Sequence, residues 1–273
     1  MTADPDAQRP RSNLQLRIIS GVILAVAVLA LTWWGGFPFR LFAVAMAAAM
    51  FHEWLFMRSG QHNIHLMLSR FVLAGALSLV LVGFPPVYVF AGIMCAAVIA
   101  AISGIATGSG LWACWGILYS GIPAAALVFL RGSSADGMWT ILFLFAVVWG
   151  TDTIAYFTGR AIGGPKLAPS ISPGKTWSGA IGGAIGGSVV ALLVANAAWS
   201  GIGLGTFVLV TLLLSVASQI GDLFESAIKR RHGVKDSGNL IPGHGGVMDR
   251  VDGLVAAAVL LFVLWIPFLS GLE

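Results

Sequence analysis

Two pairs of carboxylates, each spaced three residues apart, are the first chemistry this sequence offers: Asp222 with Glu225, and Asp249 with Asp252. Three-residue spacing places both members of a pair on one helical face. The first pair closes one apolar segment and the second opens the next, so all four are expected to converge where two helices meet a loop. Residues 218–252 hold five of the eleven acidic residues, and five of the fifteen basic ones: Lys229, Arg230, Arg231, Lys235 and Arg250. Carboxylates beside an apolar run are costly unless paired or metal-bound. Hard oxygen donors without cysteine favour magnesium over zinc, which makes Asp222, Glu225, Asp249 and Asp252 the candidate ligands. The cations suit phosphate groups. His244, within Pro242-Gly243-His244-Gly245-Gly246, is either a ligand or phosphate donor, or a turn residue. Gly245 and Gly246 would let backbone N–H groups approach an anion.

A second polar stretch, residues 149–179, complements the first. Asp152 falls inside or at the end of an apolar span. Gly174-Lys175-Thr176 ends like a phosphate-binding loop, but the opening glycine of that motif would fall on Pro169 and no strand is expected before it. A simpler anion site survives: Ser170, Ser172, Lys175 and Thr176 lie just before a helix, where hydroxyls, an ammonium and free N–H groups face one spot. The alternative is an N-cap at Ser172 with Pro173 in the first helical position. His52-Glu53, His62 and His65 have weak geometry for a metal. Anion-binding groups in one loop, and carboxylates with cations in the other, suit displacement at phosphorus, where catalysis is mostly positioning and charge neutralisation.

The elements that position these residues are set by composition. Hydrophobic residues make up 58% of the chain and charged residues 10%, against a charged share of roughly 25% in soluble domains. With a mean hydropathy of +0.92, this reads as an all-α polytopic membrane protein. The net charge of +4 resides in short loops between apolar runs, which points to lipid headgroups and phosphorylated substrates and not to nucleic acid. Cys95 and Cys114 lie inside apolar segments without metal-binding spacing and read as packing residues. Nine spans are expected, near 18–34, 37–57, 71–84, 87–105, 111–130, 138–158, 177–197, 204–227 and 251–270. The third is short, and Pro85-Pro86 after it suggests a tight hairpin or a re-entrant pair. Residues 1–15 read as an unstructured tail and 16–273 as one transmembrane domain, with the chemistry in 138–273. Gly179, Gly182, Gly183, Gly186 and Gly187 form overlapping GxxxG pairs, a ridge for close helix packing. Alternating nine spans from a cytoplasmic amino terminus puts every Lys and Arg except Arg40 and Arg131 on the cytoplasmic side, together with both polar loops.

The polar residues also resemble a known family. Ser226-Ala-Ile-Lys229-Arg230, then Lys235-Asp236-Ser-Gly, then Pro242-Gly-His244-Gly-Gly-Val-Met-Asp249-Arg250-Val-Asp252 is similar to the signature of the phosphatidate cytidylyltransferases (CDP-diacylglycerol synthases). Asp152, Tyr156, Gly159, Lys166 and Ser172-Pro-Gly-Lys175-Thr176-Trp177 resemble a second motif of that family. The resemblance implies CTP and phosphatidate as substrates, CDP-diacylglycerol and pyrophosphate as products, and magnesium with a monovalent cation such as potassium. It further implies a helical bundle that forms a homodimer in a bacterial inner membrane. Within it, Asp222 and Asp249 would be principal metal ligands, supported by Glu225 and Asp252. Lys166, Ser172, Lys175, Thr176 and the His244-Gly245-Gly246 turn would bind substrate. Lys229, Arg230, Lys235 and Arg250 would hold the lipid phosphate or pyrophosphate, and Asp152 would orient a lysine or bind metal. Two other readings suit parts of the sequence: a CTP-dependent kinase of a polyprenol or phytol, and a transporter of a phosphorylated solute.

Overall fold

A chain in lipid must satisfy its backbone hydrogen bonds internally, and apolar runs of about twenty residues do so as helices. The computed structural model describes residues 9–58, 60, 62–199, 203–241 and 243–269, with side chains described between residues 18 and 265. The elements follow in the order α1 (Arg9–Trp34), α2 (Gly36–Phe56), α3 (Asn63–Val82), α4 (Pro86–Ala106), α5 (Trp112–Arg131), α6 (Ala135–Ile162), β1 (Lys166–Ala168), β2 (Ser172–Thr176), α7 (Trp177–Ala198), α8 (Leu204–Arg231) and α9 (Met248–Leu269). Among the described residues, seven helices, α2 to α8, are long and apolar enough to cross a membrane, and Ile18–Trp34 of α1 adds a shorter apolar stretch. The chain is an all-α, multi-pass membrane protein.

Each expected span has its helix, but several bounds differ. Helix α1 begins at Arg9, inside the stretch read as a tail, while residues 1–8 lie outside the described residues. Helix α3 is not short: it starts at Asn63, because His65 and Ser69, which interrupt the apolar pattern, are buried with internal partners. Ser69 Oγ donates to His65 O at 2.8 Å, and His65 Nδ1 meets Ser103 Oγ at 3.2 Å. No re-entrant pair forms. Gly83 ends α3 in the left-handed region, and Pro86 starts α4 at a position that needs no N–H.

The polar stretch after α6 holds an antiparallel hairpin that was not expected, pairing Lys166 with Thr176 and Ala168 with Ser172. The cap of α7 is therefore Thr176, whose Oγ1 accepts from Gly179 N at 3.1 Å, and Pro173 lies in a strand. In a two-stranded hairpin both strands are edges, which is where a sheet admits proline.

Two close crossings gather the charged residues. The glycine ridge of α7 lies on α6: a Cβ at Gly183 would sit 2.8 Å from the Ala155 Cβ, and one at Gly187 would strike Thr151 Oγ1. At the other crossing, between α8 and α9, a Cβ at Gly221 would sit 2.6 Å from Asp252 O, and one at Gly253 would lie 2.7 Å from Ser218 Oγ. Asp152 on α6, Asp222 on α8 and Asp252 on α9 are brought within electrostatic reach of one another at one end of the bundle. The amino-terminal helices supply a rigid support, in which Trp54 and Trp112 stack at 4.5 Å and each indole N–H donates to the other residue's carbonyl at 2.9 Å.

Candidate active site

The hairpin and α8 meet through Lys175, whose ammonium is ion-paired with Asp222 Oδ2; Ser226 Oγ donates to the other Asp222 oxygen at 3.3 Å. This pair stands in the wall of a cavity of about 590 Å³ between α6, the hairpin, α7 and α8. Asp152, Tyr156 and Arg160 line it at successive turns of α6, and Lys166, Thr176 and Gln219 complete the polar surface. A cavity of that size is in the range that holds a nucleotide. Its charges are mixed, with Arg160, Lys166 and Lys175 against Asp152 and Asp222.

A second node lies one turn further along α8. Lys229, buried, donates to Glu225 Oε1 at 3.0 Å and to Asp249 Oδ1 at 2.5 Å, and so ties α8 to the start of α9. Glu225 is fully buried, and Tyr119 O–H donates to its Oε2 at 3.4 Å. Asp249 Oδ2 accepts from Ser237 N at 2.9 Å, Ser237 Oγ at 3.0 Å and Gly246 N at 2.9 Å. Both oxygens of Asp249 are thus engaged.

The residue sequence reasoning passed over is Glu53. It is 2% exposed. Its carboxylate accepts from Val247 N at 2.7 Å and Met248 N at 2.8 Å, and its Oε2 lies 2.9 Å from Ser237 Oγ, whose single proton it shares with Asp249 Oδ2. Two of these donors are otherwise orphaned N–H groups at the amino terminus of α9. The glycines around them leave room for it: a Cβ at Gly246 would lie 2.6 Å from Glu53 Oε2, and one at Gly238 2.9 Å from Glu53 Oε1. Of the N–H groups expected to approach a ligand anion, that of Gly246 is taken by Asp249, and the next two, Val247 and Met248, by Glu53. The signal was present in sequence, as a carboxylate at the end of an apolar span with no cation at helical spacing.

An apolar groove of about 780 Å³ adjoins this node between α5, α8 and α9. Trp115, Ile122, Ile228, Val259 and Val263 line it, and Phe224 and Tyr119 stand at its charged end.

The structure sorts the expected residues into three groups. Asp152, Lys166, Lys175, Thr176 and Asp222 share the nucleotide-sized cavity. Glu225, Lys229 and Asp249 form the buried node, with Asp252 close to Asp222 and Glu225. The rest lie elsewhere. Ser172 is at the turn end of the hairpin and is not among the residues that line the cavity. His244, Gly245 and Arg250 line a separate polar recess with Asp236. There His244 Nδ1 and Ser20 Oγ share a hydrogen bond of 2.7 Å, and Arg250 donates to His244 O at 2.7 and 3.0 Å. Arg230 is exposed and donates to Ile171 O at 3.3 Å and Val234 O at 3.1 Å, while Lys235 is exposed in the loop after α8. Among the described residues, no three of His, Cys, Asp and Glu group closely enough to hold a metal ion by themselves.

The profile of the Cytidylyltransferase family matches residues 15–267. The chain is 48% identical over 261 residues to the phosphatidate cytidylyltransferase of Brucella abortus biovar 1 (strain 9-941), covering 92% of this chain and 93% of that protein. It is 34% identical over 272 residues to the phosphatidate cytidylyltransferase of Rickettsia bellii (strain RML369-C), covering 97% and 94%. Over 150 residues it is 43% identical to the enzyme of the same name from Staphylococcus saprophyticus, covering 55% of this chain and 56% of that one.

Proposed function

This chain belongs to the cytidylyltransferase family, and from that premise we propose that it joins CTP to phosphatidate, releasing pyrophosphate and leaving CDP-diacylglycerol in the membrane. One observation carries the reading: α8 is a shared wall between a polar cavity of nucleotide size and an apolar groove suited to acyl chains. Asp222 faces the cavity, Phe224 and Ile228 face the groove, and Glu225 and Lys229 stand between them.

The attacking group is the phosphatidate phosphate. A phosphomonoester has its second pKa at about 6, so the dianion is present at neutral pH and no side chain need remove a proton. An oxygen of that dianion bonds to the α-phosphorus of CTP while the bond from that phosphorus to the bridging oxygen of the β-phosphate breaks, and pyrophosphate leaves with the electron pair. Repulsion between two anions is the barrier. Lys166, Lys175 and Arg160 are placed to lower it on the nucleotide side. Lys229, between the cavity and the groove, is our candidate cation for the lipid phosphate, and it also holds Glu225 and Asp249 in position.

The residues fit a magnesium ion shared with substrate. Magnesium is commonly held by one or two carboxylates plus substrate phosphates, without an all-protein cage. Asp222 and Asp252 are the candidates, because Asp222 lines the cavity with Asp152, and Asp252 is within electrostatic reach of both. When bound, the ion would neutralise phosphate charge during the displacement. Glu225 and Asp249, read from sequence as further ligands, are engaged by Lys229, Tyr119, Ser237 and Gly246, and we assign them to positioning. A monovalent cation such as potassium rests on the family resemblance alone.

The test is to supply CTP labelled in either the α- or the γ-phosphate to the purified protein with phosphatidate and magnesium. We expect α-label in the lipid and γ-label in pyrophosphate, both stopped by a chelator. Transfer of γ-label to a lipid would instead identify a kinase. The skew of basic residues supports a cytoplasmic amino terminus and active site, in a bacterial inner membrane. The resemblance supports a homodimer, which the mass of the purified protein in detergent would check.

A further inference from the structure

The two basic residues that break the charge asymmetry, Arg40 and Arg131, come together at the end of the bundle opposite the nucleotide cavity. Arg40 follows the start of α2, and Arg131 closes α5. Both line one cavity of about 220 Å³, with Phe39, Phe84, Gly132 and Ser133. From Ala135 at this end, α6 climbs seventeen residues to Asp152, a rise of about 25 Å.

Each guanidinium lies over a turn glycine with a left-handed backbone. A Cβ at Gly35 (φ 67°) would strike the Arg131 guanidinium, and one at Gly83 (φ 90°) would strike that of Arg40. Arg131 is 6% exposed. It donates to Thr32 O at 2.6 Å, Trp33 O at 3.1 Å and Ser134 O at 3.1 Å, all carbonyls and none a carboxylate. Among the described residues the Arg40 guanidinium has neither an ion pair nor a hydrogen bond. No residue lining the cavity is acidic; the acid nearest in sequence, Asp136, is exposed on the first turn of α6 and outside the lining. The Arg131 charge is met in part by carbonyls at helix ends, whereas that of Arg40 has no partner among the described residues of the recess; an unpaired cation in a low-dielectric setting is costly, and an anion there offsets it.

The depth of the recess identifies the anion. Trp33 (73% exposed), Trp34 (75%) and Phe37 (59%) flank the α1–α2 turn whose Gly36 lines the recess, and Phe84 is part of the lining. Exposed aromatics clustered at helix ends mark the headgroup level of a bilayer. The recess is smaller than a nucleotide requires, and its walls pair guanidiniums with Phe39, Val80 and Phe129, which suits a phosphate attached to a lipid. We propose that Arg40 and Arg131 bind the phosphate of an anionic phospholipid drawn from the leaflet opposite the nucleotide cavity. This site is separate from the reaction and does not depend on the proposed function.

The test uses the full-length protein in detergent, carrying Lys175→Ala to weaken phosphate binding at the nucleotide cavity. Dihexanoyl phosphatidylglycerol is titrated and its binding read by native mass spectrometry. Arg40→Gln is expected to weaken binding about tenfold, the order lost with one charge-assisted contact, and Arg40→Lys to restore most of it. Ser133→Glu, which adds a carboxylate to the recess from an exposed position, gives the same loss without touching the arginines. Unfolding temperatures show that each variant is folded. In the otherwise native chain, Arg40→Gln leaves cytidylyl transfer unchanged. Binding as tight in both variants as in the parent would overturn the proposal. Displacement of the lipid by millimolar inorganic phosphate would overturn the lipid assignment and give the recess to the free anion.

Discussion

Lys175 and Lys229 divide the charged centre between them, and their roles separate under substitution. Lys175 reaches Asp222 from a hairpin, across the wall of the polar cavity, and only part of its surface is covered. Replacing it with alanine removes a cation from the cavity wall and leaves the helices undisturbed. Lys175→Ala is expected to lower kcat about 10²- to 10³-fold, the usual cost of removing one preorganised group that stabilises transition-state charge, with an unchanged unfolding temperature. Lys229 is different, because its loss leaves Glu225 and Asp249 buried without their cation. Lys229→Met should cost both activity and about 3–5 kcal/mol of stability. Glu53 belongs with Lys229 although it lines neither the cavity nor the groove. Glu53→Ala strands the N–H groups of Val247 and Met248, at about 1–3 kcal/mol for each abandoned donor, while the Ser237 hydroxyl keeps Asp249 Oδ2 as its acceptor. Its unfolding temperature in detergent should fall by several degrees, and an unchanged value would refute the capping role.

At the scale of elements, the long apolar runs were legible because lipid admits few alternatives to a helix, and all nine were read. The start of α3 was lost because His65 and Ser69 look like loop residues until their buried partners are seen. The hairpin was lost because Ser172-Pro173 resembles a helix start, and only the pairing of this stretch with Lys166–Ala168 shows otherwise. Of the site, the acids and lysines were legible through their cost beside apolar segments. Their division into a cavity set and a buried node was not, since it depends on where α8 crosses α7 and α9. The glycine ridge was legible as a packing surface, and its consequence for the site can be measured. Gly187→Leu forces α7 away from Thr151 on α6, moving the Thr176 cap and Lys175 relative to Asp152. Overpacking of this kind costs about 1–3 kcal/mol. The expected signature is a larger rise in KM for CTP than for phosphatidate, with Gly187→Ala milder. Equal rises for both substrates would show that the crossing supports the bundle and not the nucleotide cavity in particular.

At the scale of the whole molecule, the two substrates come from different solvents, and the bundle keeps their approaches apart until α8. The cavity proposed for CTP is polar and framed by α6, the hairpin and α7, while the groove between α5, α8 and α9 is almost wholly apolar along its lining. Filling the groove should therefore act on one substrate alone. Val259 lines it well beyond Tyr119 and Glu225, and Val259→Trp adds an indole without touching the charged node. If acyl chains occupy this groove, the substitution raises KM for long-chain phosphatidate and leaves KM for CTP unchanged. Dihexanoyl phosphatidate, whose chains end nearer the headgroup, should be affected much less. Displacing the outermost methylenes of one chain forfeits about 0.8 kcal/mol for each CH₂, so two to four of them give a rise of about ten- to two-hundred-fold. An equal penalty for short and long chains would place the acyl groups elsewhere, and a rise in KM for CTP would mean that α8 does not insulate the two approaches.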